Sequence, residues 1–388
     1  MAEGFAEERE WDLVEVVARR TIDGEGGLNA GLKGDGGSAT RYLPTNAWAW
    51  KAVGIVELVS LNSLLTKIVS HRRLARKTRK NYSEAIQALQ IALRADTDDQ
   101  ISWLRLGEAY SKAGRHAAAM KSLMRSRELK PDDWMSSYFI GEVQRQVGQY
   151  QEAVDSFRSI LVDRPLEIVV LMSLGQTYLA LGLHEISTGF IARAECSFVE
   201  CVRVAMQAVD ASPGFRGIAW KIAADAIFHL SNNSLFFDEE NVRAVLSTVT
   251  PLMSTLGERL SGIIHLARLH DMSSLDGLKA LETAIAAYDY RISLGTSENS
   301  PNGCAWFDLG IALHSWCRRI SSSEDRQKAE KQAMCCVTEA LREDSGNEIY
   351  WNALGCINFD TQPKTAQHAY IRALEIDPKV SYDIMPWP

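Results

Sequence analysis

Two glycine-rich runs, Gly24-Glu-Gly-Gly and Gly34-Asp-Gly-Gly, have the backbone freedom to cradle a phosphate, but neither follows a strand pattern nor leads into Lys-Ser/Thr. They read as a flexible linker over residues 21–40. His265 and His270 are the nearest pair among the eight histidines; a separation of five puts them off a common helix face, and no glutamate completes a zinc motif. Cys335-Cys336 and the pair Cys196 and Cys201 sit in helical patterns at spacings poor for joint ligation. No Gly-x-Ser-x-Gly elbow and no Cys, His, acid order is present. No catalytic, cofactor-binding or metal-ligating residue is assigned, and an enzyme is not expected. The remaining chemistry is recognition. Arg105, Glu108 and Lys112, then Tyr138, Glu142 and Arg145, set mixed charge beside an aromatic ring. That mixture suits an extended peptide or a partner helix better than RNA, which favours Lys and Arg with stacking aromatics.

A repeating helical element must hold these six side chains on one wall. A period of 34 residues runs through Gly107, Gly141 and Gly175, through Ala85, Ala119 and Ala153, through Leu89, Leu123 and Phe157, and through Thr97, Pro131 and Pro165. This is the length and pattern of a tetratricopeptide unit. Gly114, Gly148 and Gly182 share the spacing and are expected where the first helix of each unit turns into the second. Trp103, Leu106 and Tyr110 form an apolar stripe at helical spacing, against which Ala119 and Leu123 are expected to pack. Pro131 should stop the second helix, because it has no amide to donate and disfavours helix in the residue before it. The six candidate residues then fall on first helices, facing the inner, concave side of the stack.

The pattern returns as Trp306, Leu309 and Gly310 with Ala333, Val337 and Ala340, and as Trp351, Leu354 and Gly355 with Ala366, Tyr370, Ala373 and Pro378. Between them it fades into longer helices, expected over 187–211, 217–230, 239–256 and 275–293, with polar loops at 231–234 and 297–303. The expected fold is all-α, a right-handed superhelical solenoid of antiparallel helix pairs. Its divisions are an N-terminal segment 1–45 with the linker, repeats over 46–213, irregular helix pairs over 214–302, repeats over 303–379, and a tail 380–388 that departs from the repeat.

Trp50, Val53 and Gly54 open a unit whose second helix holds Ala85, Leu89 and Ala92, yet Trp50 lies 35 residues from Ala85 where the repeat needs 16. Removing Val59 to Lys77 restores the spacing. The segment reads as a retained intron, since Val59-Ser60 can be encoded by a splice-donor sequence and Lys77 can end in AG. Val380-Ser381 repeats the clue at the tail. The dense basic run from His71 to Lys80 falls mostly inside this insert, so it is read as a solvated loop and not as a nuclear-import or nucleic-acid signal.

A net charge of -7 argues against wholesale coating of a phosphate backbone, although a local basic groove is compatible with it. Direct RNA contact is therefore not indicated by charge. The seven cysteines include no CxxC pair and no even framework, which favours reduced thiols in the cytosol or nucleus. The acidic start is unlike a secretory signal. The most apolar window, 52–69, contains Glu57, Asn62 and Lys67, so no membrane span is expected.

Several segments are more specific than the general repeat. They are Asp99-Gln-Ile-Ser-Trp-Leu-Arg-Leu-Gly-Glu-Ala-Tyr, Tyr138-Phe-Ile-Gly-Glu-Val-Gln-Arg-Gln, Glu185-Ile-Ser-Thr-Gly-Phe, Ala211-Ser-Pro-Gly-Phe-Arg, Tyr288-Asp-Tyr-Arg-Ile-Ser-Leu-Gly and Ala305-Trp-Phe-Asp-Leu-Gly. Through them the chain resembles the tetratricopeptide scaffold subunit of the superkiller complex over most of 46–379. The resemblance implies a cytoplasmic scaffold, with a nuclear pool allowed, that assembles an RNA helicase with WD-repeat subunits and links them indirectly to the exosome for 3′ to 5′ messenger RNA decay. A peptide-docking cochaperone adaptor is the alternative. It would show basic residues clustered on adjacent inner faces, which only Arg105, Lys112 and Arg145 approach.

Overall fold

The computed structural model describes residues 50–55, 81–233, 235–253, 260, 263–264, 269–295 and 303–378, and every regular element among them is a helix. Two compact units divide between Asp163 and Arg164. The linker 21–40, the suspected insert 59–77 and the tail 380–388 lie outside the described residues.

The first unit contains a helical segment at 50–55, then α1 (Asn81–Ala95), α2 (Gln100–Lys112), α3 (His116–Leu129), α4 (Trp134–Gln146) and α5 (Tyr150–Asp163). The sequence sets each boundary locally. Asp99 and Asp133 cap α2 and α4 by accepting the amides of Ile101 and Met135. Gly114 and Gly148 turn the chain at φ 72° and 83°, a conformation that disfavours other residues. Pro131 follows the end of α3 at Leu129. Trp103 adds a lock that its apolar role did not suggest, because its indole N–H donates to the Thr97 carbonyl at 2.8 Å. Trp351 does the same to Ser345 at 2.9 Å, so each tryptophan pins the turn that precedes its own helix.

Side-chain packing corrects one expectation. Trp103 and Leu106 face back onto α1, among Ala85, Ile86, Leu89 and Leu93, while Leu104 joins Ala119, Leu123, Ile140 and Val143; Tyr110 touches both clusters. A helix between two neighbours needs two apolar stripes, and the single stripe read from the sequence serves only the preceding one. What meets Leu123 is Gly107, where a β-carbon would stand 2.5 Å from Leu123 Cγ. Gly141 meets Phe157 in the same manner at 2.8 Å, and Gly54 meets Leu89 at 2.5 Å. The segment 50–55 therefore packs on α1 as one more hairpin despite the longer sequence separation, with Val53 on Ala88 and Lys51 paired to Asp99 at 2.8 Å.

The second unit contains α6 (Ile168–Ser187), α7 (Ile191–Ala211), α8 (Arg216–Leu230), α9 (Glu239–Val249), α10 (Gly277–Gly295), α11 (Gly303–Arg319), α12 (Ser323–Glu343), α13 (Glu348–Asn358) and α14 (Pro363–Ile376). Gly182 is not the turn glycine expected of it. It lies inside α6, where a β-carbon would come 2.6 Å from the Phe198 ring, and the turn falls seven residues later at Gly189, with φ 84°. With no glycine or proline between Gly182 and Gly189 to end it, α6 runs on, and α7 starts at Ile191 instead of 187. α6 is long and apolar enough to cross a membrane, yet Val170, Leu171 and Leu174 are buried and it packs on α7 and α8 as a core helix does.

α8 packs against α10, not against α9, so residues 231–276 form an excursion inside one helix pair. Within it α9 ends at Val249 and a short 3₁₀ turn follows over Thr250–Leu252, earlier than the expected limit of 256. The two ends of the excursion meet. A β-carbon on Gly277 would lie 2.4 Å from the Asn233 carbonyl oxygen and 2.6 Å from that of Ser231, and Arg319 donates to the Ser231 carbonyl and to Asn232 Oδ1, both at 2.7 Å. At the C-terminal side, Gly310 meets Val337 and Gly355 meets Tyr370, and Gly303, expected in a loop, opens α11.

Candidate functional site

On α2 the Glu108 side chain is almost fully buried and accepts from two cations, Arg105 Nη1 on Oε2 at 2.8 Å and Lys112 Nζ on Oε1 at 2.7 Å. The spacings of three and four residues place all three on one helical stripe. On α4 the Glu142 carboxylate has one cation, with Arg145 Nη2 on Oε2 at 2.7 Å; its Oε1 is buried without a hydrogen bond. Ser111 Oγ donates to Gln146 Oε1 at 2.8 Å and ties the end of α2 to the end of α4. The Tyr138 ring packs edge-on against Trp134 and Phe139 and is tilted on Phe157. The structure thus gathers Arg105, Glu108 and Lys112 into one group and Glu142 with Arg145 into another, and puts Tyr138 into aromatic packing. Because Arg105 and Lys112 converge on a shared carboxylate, this face does not hold out a set of unneutralised cations for a C-terminal carboxylate.

A second polar group, absent from the sequence reading, joins α8, α10 and α11. Lys221 Nζ lies 3.2 Å from Asp225 and 2.8 Å from Asp308, Arg291 Nη1 is 2.8 Å from the same Asp308 oxygen, and the Tyr288 hydroxyl donates to Asp225 at 2.7 Å. Arg291 Nη2 also reaches Cys304 Sγ at 3.3 Å. Like Glu108 and Glu142, Asp225 has a cation of its own helix within salt-bridge distance. Lys221 precedes Asp225 by four residues on α8, but Tyr288, Arg291 and Asp308 come to this group from α10 and α11. The one local signal was a charge inside an apolar run, as in Ile222-Ala-Ala-Asp-Ala-Ile. Among the described residues, no group of three or more His, Cys, Asp or Glu side chains is arranged to hold a metal ion.

Residues 78–134 match the tetratricopeptide-repeat family model. Superkiller protein 3 of Schizosaccharomyces pombe is 28% identical over 376 residues, which cover 95% of this chain and 24% of the relative. Superkiller complex protein 3 of Mus musculus is 28% identical over 302 residues, or 75% of this chain and 17% of that protein. The chain is thus similar to superkiller 3 proteins over most of its length and carries a tetratricopeptide-repeat match. It spans about a quarter of the length of the S. pombe relative. The C-terminal part of a repeat-containing protein from Cytophaga hutchinsonii, a solved structure, aligns with 91% of this chain and 98% of its own at a TM-score of 0.47 and 11% identity.

The second polar group gives this chain a defined alkaline limit. Burial lowers the Lys221 ammonium, but the Asp225 and Asp308 carboxylates outweigh it and hold the group above the ordinary lysine value of 10.5. Burial, then the Asp225 charge, pushes the Tyr288 phenol well above its usual 10.0. In both cases the folded chain keeps a proton that the unfolded chain releases, so the stabilisation is complete below about pH 10 and declines as pH rises through the folded values. Thermal unfolding followed from pH 8 to 11.5 should show a flat midpoint and then a fall. The fall should be shallower in a Lys221→Met/Tyr288→Phe variant; an equal slope in both proteins would contradict the assignment.

Proposed function

We propose that this chain is a scaffold segment that holds an RNA helicase and WD-repeat subunits together in a superkiller-type assembly, in the cytoplasm, feeding RNA to the exosome for 3′ to 5′ decay. Repeats of this family act by protein-protein contact, and the likeness to superkiller 3 proteins over nearly the whole chain supports the particular assembly. The observation that carries the reading is the wall built by α2 and α4. Its carboxylates and cations are already matched to one another on rigid, stacked helices, so it presents hydrogen-bonding edges at fixed spacing and no reacting group. Arg105, Glu108, Lys112, Tyr138, Glu142 and Arg145 are the residues proposed to line the contact.

The same pairing disfavours the cochaperone alternative, which needs free basic residues for a terminal carboxylate. It also disfavours direct RNA binding, whose affinity would fall steeply with salt. Affinity purification of the chain lacking residues 59–77 tests the proposal. A helicase together with WD-repeat proteins is the expected yield, and heat-shock proteins alone would refute it.

A further inference from the structure

The hairpin of α6 and α7 is longer than the hairpins of the first unit. Its helices have 20 and 21 residues, against 13 and 14 for α2 and α3 and for α4 and α5. The displaced turn at Gly189 accounts for this, and seven further residues add about 10 Å of helix at 1.5 Å each. The added length is apolar on its outside. Leu183 and Ile186 lie one turn apart near the end of α6, Phe190 and Ile191 follow across the Gly189 turn at the start of α7, and all four are exposed, Phe190 to 54%. The α2–α3 turn carries only Ala113, Gly114, Arg115 and His116.

A second piece of chain is fastened beside this tip. Glu195, in the second turn of α7, is 1% exposed, and its two carboxylate oxygens accept the backbone amides of Phe237 at 3.0 Å and Asp238 at 2.7 Å. A buried carboxylate spent on two amides fixes that strap firmly. The strap nevertheless turns Leu235 and Phe237 outward, at 82% and 69% exposure. Large apolar side chains fixed in the open on a rigid support mark a contact surface.

The surrounding charge indicates what the surface contacts. The Cys196 thiol beside Glu195 is raised first by burial and then by Glu195, Asp238, Glu185 and Glu200, so the local field is negative. Glu239 and Glu240 follow at the start of α9. The nearby cations are engaged, with Arg193 over the Phe190 ring, Arg203 on Glu200 and Arg243 on Glu239. A negative rim repels RNA. It also repels a second copy, because a two-fold contact would set the same acidic rim against itself. An apolar patch bordered by acids is complementary to a helix that is apolar on one face and basic on the other.

We propose that the α6–α7 tip and the strap at 235–238 form a docking surface for an amphipathic helix of a partner protein, apolar on one face and rich in Lys or Arg on the other. This deepens the scaffold reading and rests on it.

The test uses the full chain and a fluorescein-labelled 18-residue helical peptide with a leucine face and a lysine face, beside a twin carrying glutamate in place of lysine. The lysine peptide should bind at least tenfold more tightly than its twin. Phe190→Ser/Phe237→Ser, which keeps every charge and alters only exposed side chains, should weaken that binding at least tenfold with an unchanged circular dichroism melt. Glu185→Gln/Asp238→Asn should weaken it several-fold. Equal binding of both peptides, or an undiminished affinity in the double serine variant, would overturn the proposal. So would a wild-type dimer in sedimentation that the serine variant dissociates, since a second copy would then cover the surface. Recovery of helicase and WD-repeat proteins by the wild-type chain is scored separately, so the docking surface can fail while the scaffold reading stands.

Discussion

Gly107→Val is expected to destabilise the first unit by about 3 kcal/mol, at the upper end of what overpacking a tight core costs. A β-carbon at that position would stand 2.5 Å from Leu123 Cγ and 2.6 Å from its Cδ2. Leu123 has nowhere to go, being fully buried among Leu104, Ala119, Ile140 and Val143. Replacing glycine inside a helix gains up to about 1 kcal/mol of propensity with alanine and less with a β-branched residue, so sterics outweigh it. Denaturant unfolding should show an earlier midpoint at unchanged slope, and Gly107→Ala should fall between the two proteins. A valine variant as stable as the parent would mean that α2 and α3 are not in close contact.

Asp308→Ala is the second large effect, also about 3 kcal/mol, because one carboxylate neutralises two cations. Removing it leaves Arg291, whose side chain is 13% exposed, with Cys304 Sγ as its remaining bonded neighbour, and leaves Lys221 to Asp225 alone. Deleting one partner of a largely buried pair costs more than the pair contributes, since the residual charge stays desolvated. Asp308→Asn, which keeps an acceptor oxygen, should lose roughly half as much. Urea unfolding followed by far-ultraviolet circular dichroism reads the loss, since the described regular elements of the unit are all helical. A loss below about 0.5 kcal/mol in the alanine variant, the range of ordinary surface substitutions, would count against a neutralising role.

The repeat was legible because its determinants are local and periodic. The positions Gly107, Gly141, Gly310 and Gly355 each meet the second-helix residue that the pattern named. Gly54 does so across the suspect insert, which has no bearing on the pairing of 50–55 with α1. Gly182 was misread because a glycine within a helix and a glycine at a turn look alike in sequence. The difference lies in Phe198, whose ring occupies the space a side chain would need. Of the candidate wall, the stripe of Arg105, Glu108 and Lys112 was readable from spacing, but that Glu108 would be buried beneath both cations was not. Asp225, Asp308 and Glu195 were invisible for a plainer reason. Apart from Lys221, four residues before Asp225, their partners are 17 to 87 residues away, and no pattern within one helix encodes a meeting of three.

Gly277 carries a consequence for the joint between α8 and α10. With the carbonyls of Ser231 and Asn233 seated against its α-carbon, the excursion leaves α8 and returns to α10 at nearly the same point. The strap is tied to Glu195, and α9 buries Val242, Val245, Leu246 and Val249 while packing on α7, so this piece of chain is held at its side as well as at its neck. Any side chain at 277 would have to push the two carbonyls aside, and the neck would open before the α7–α9 packing is touched.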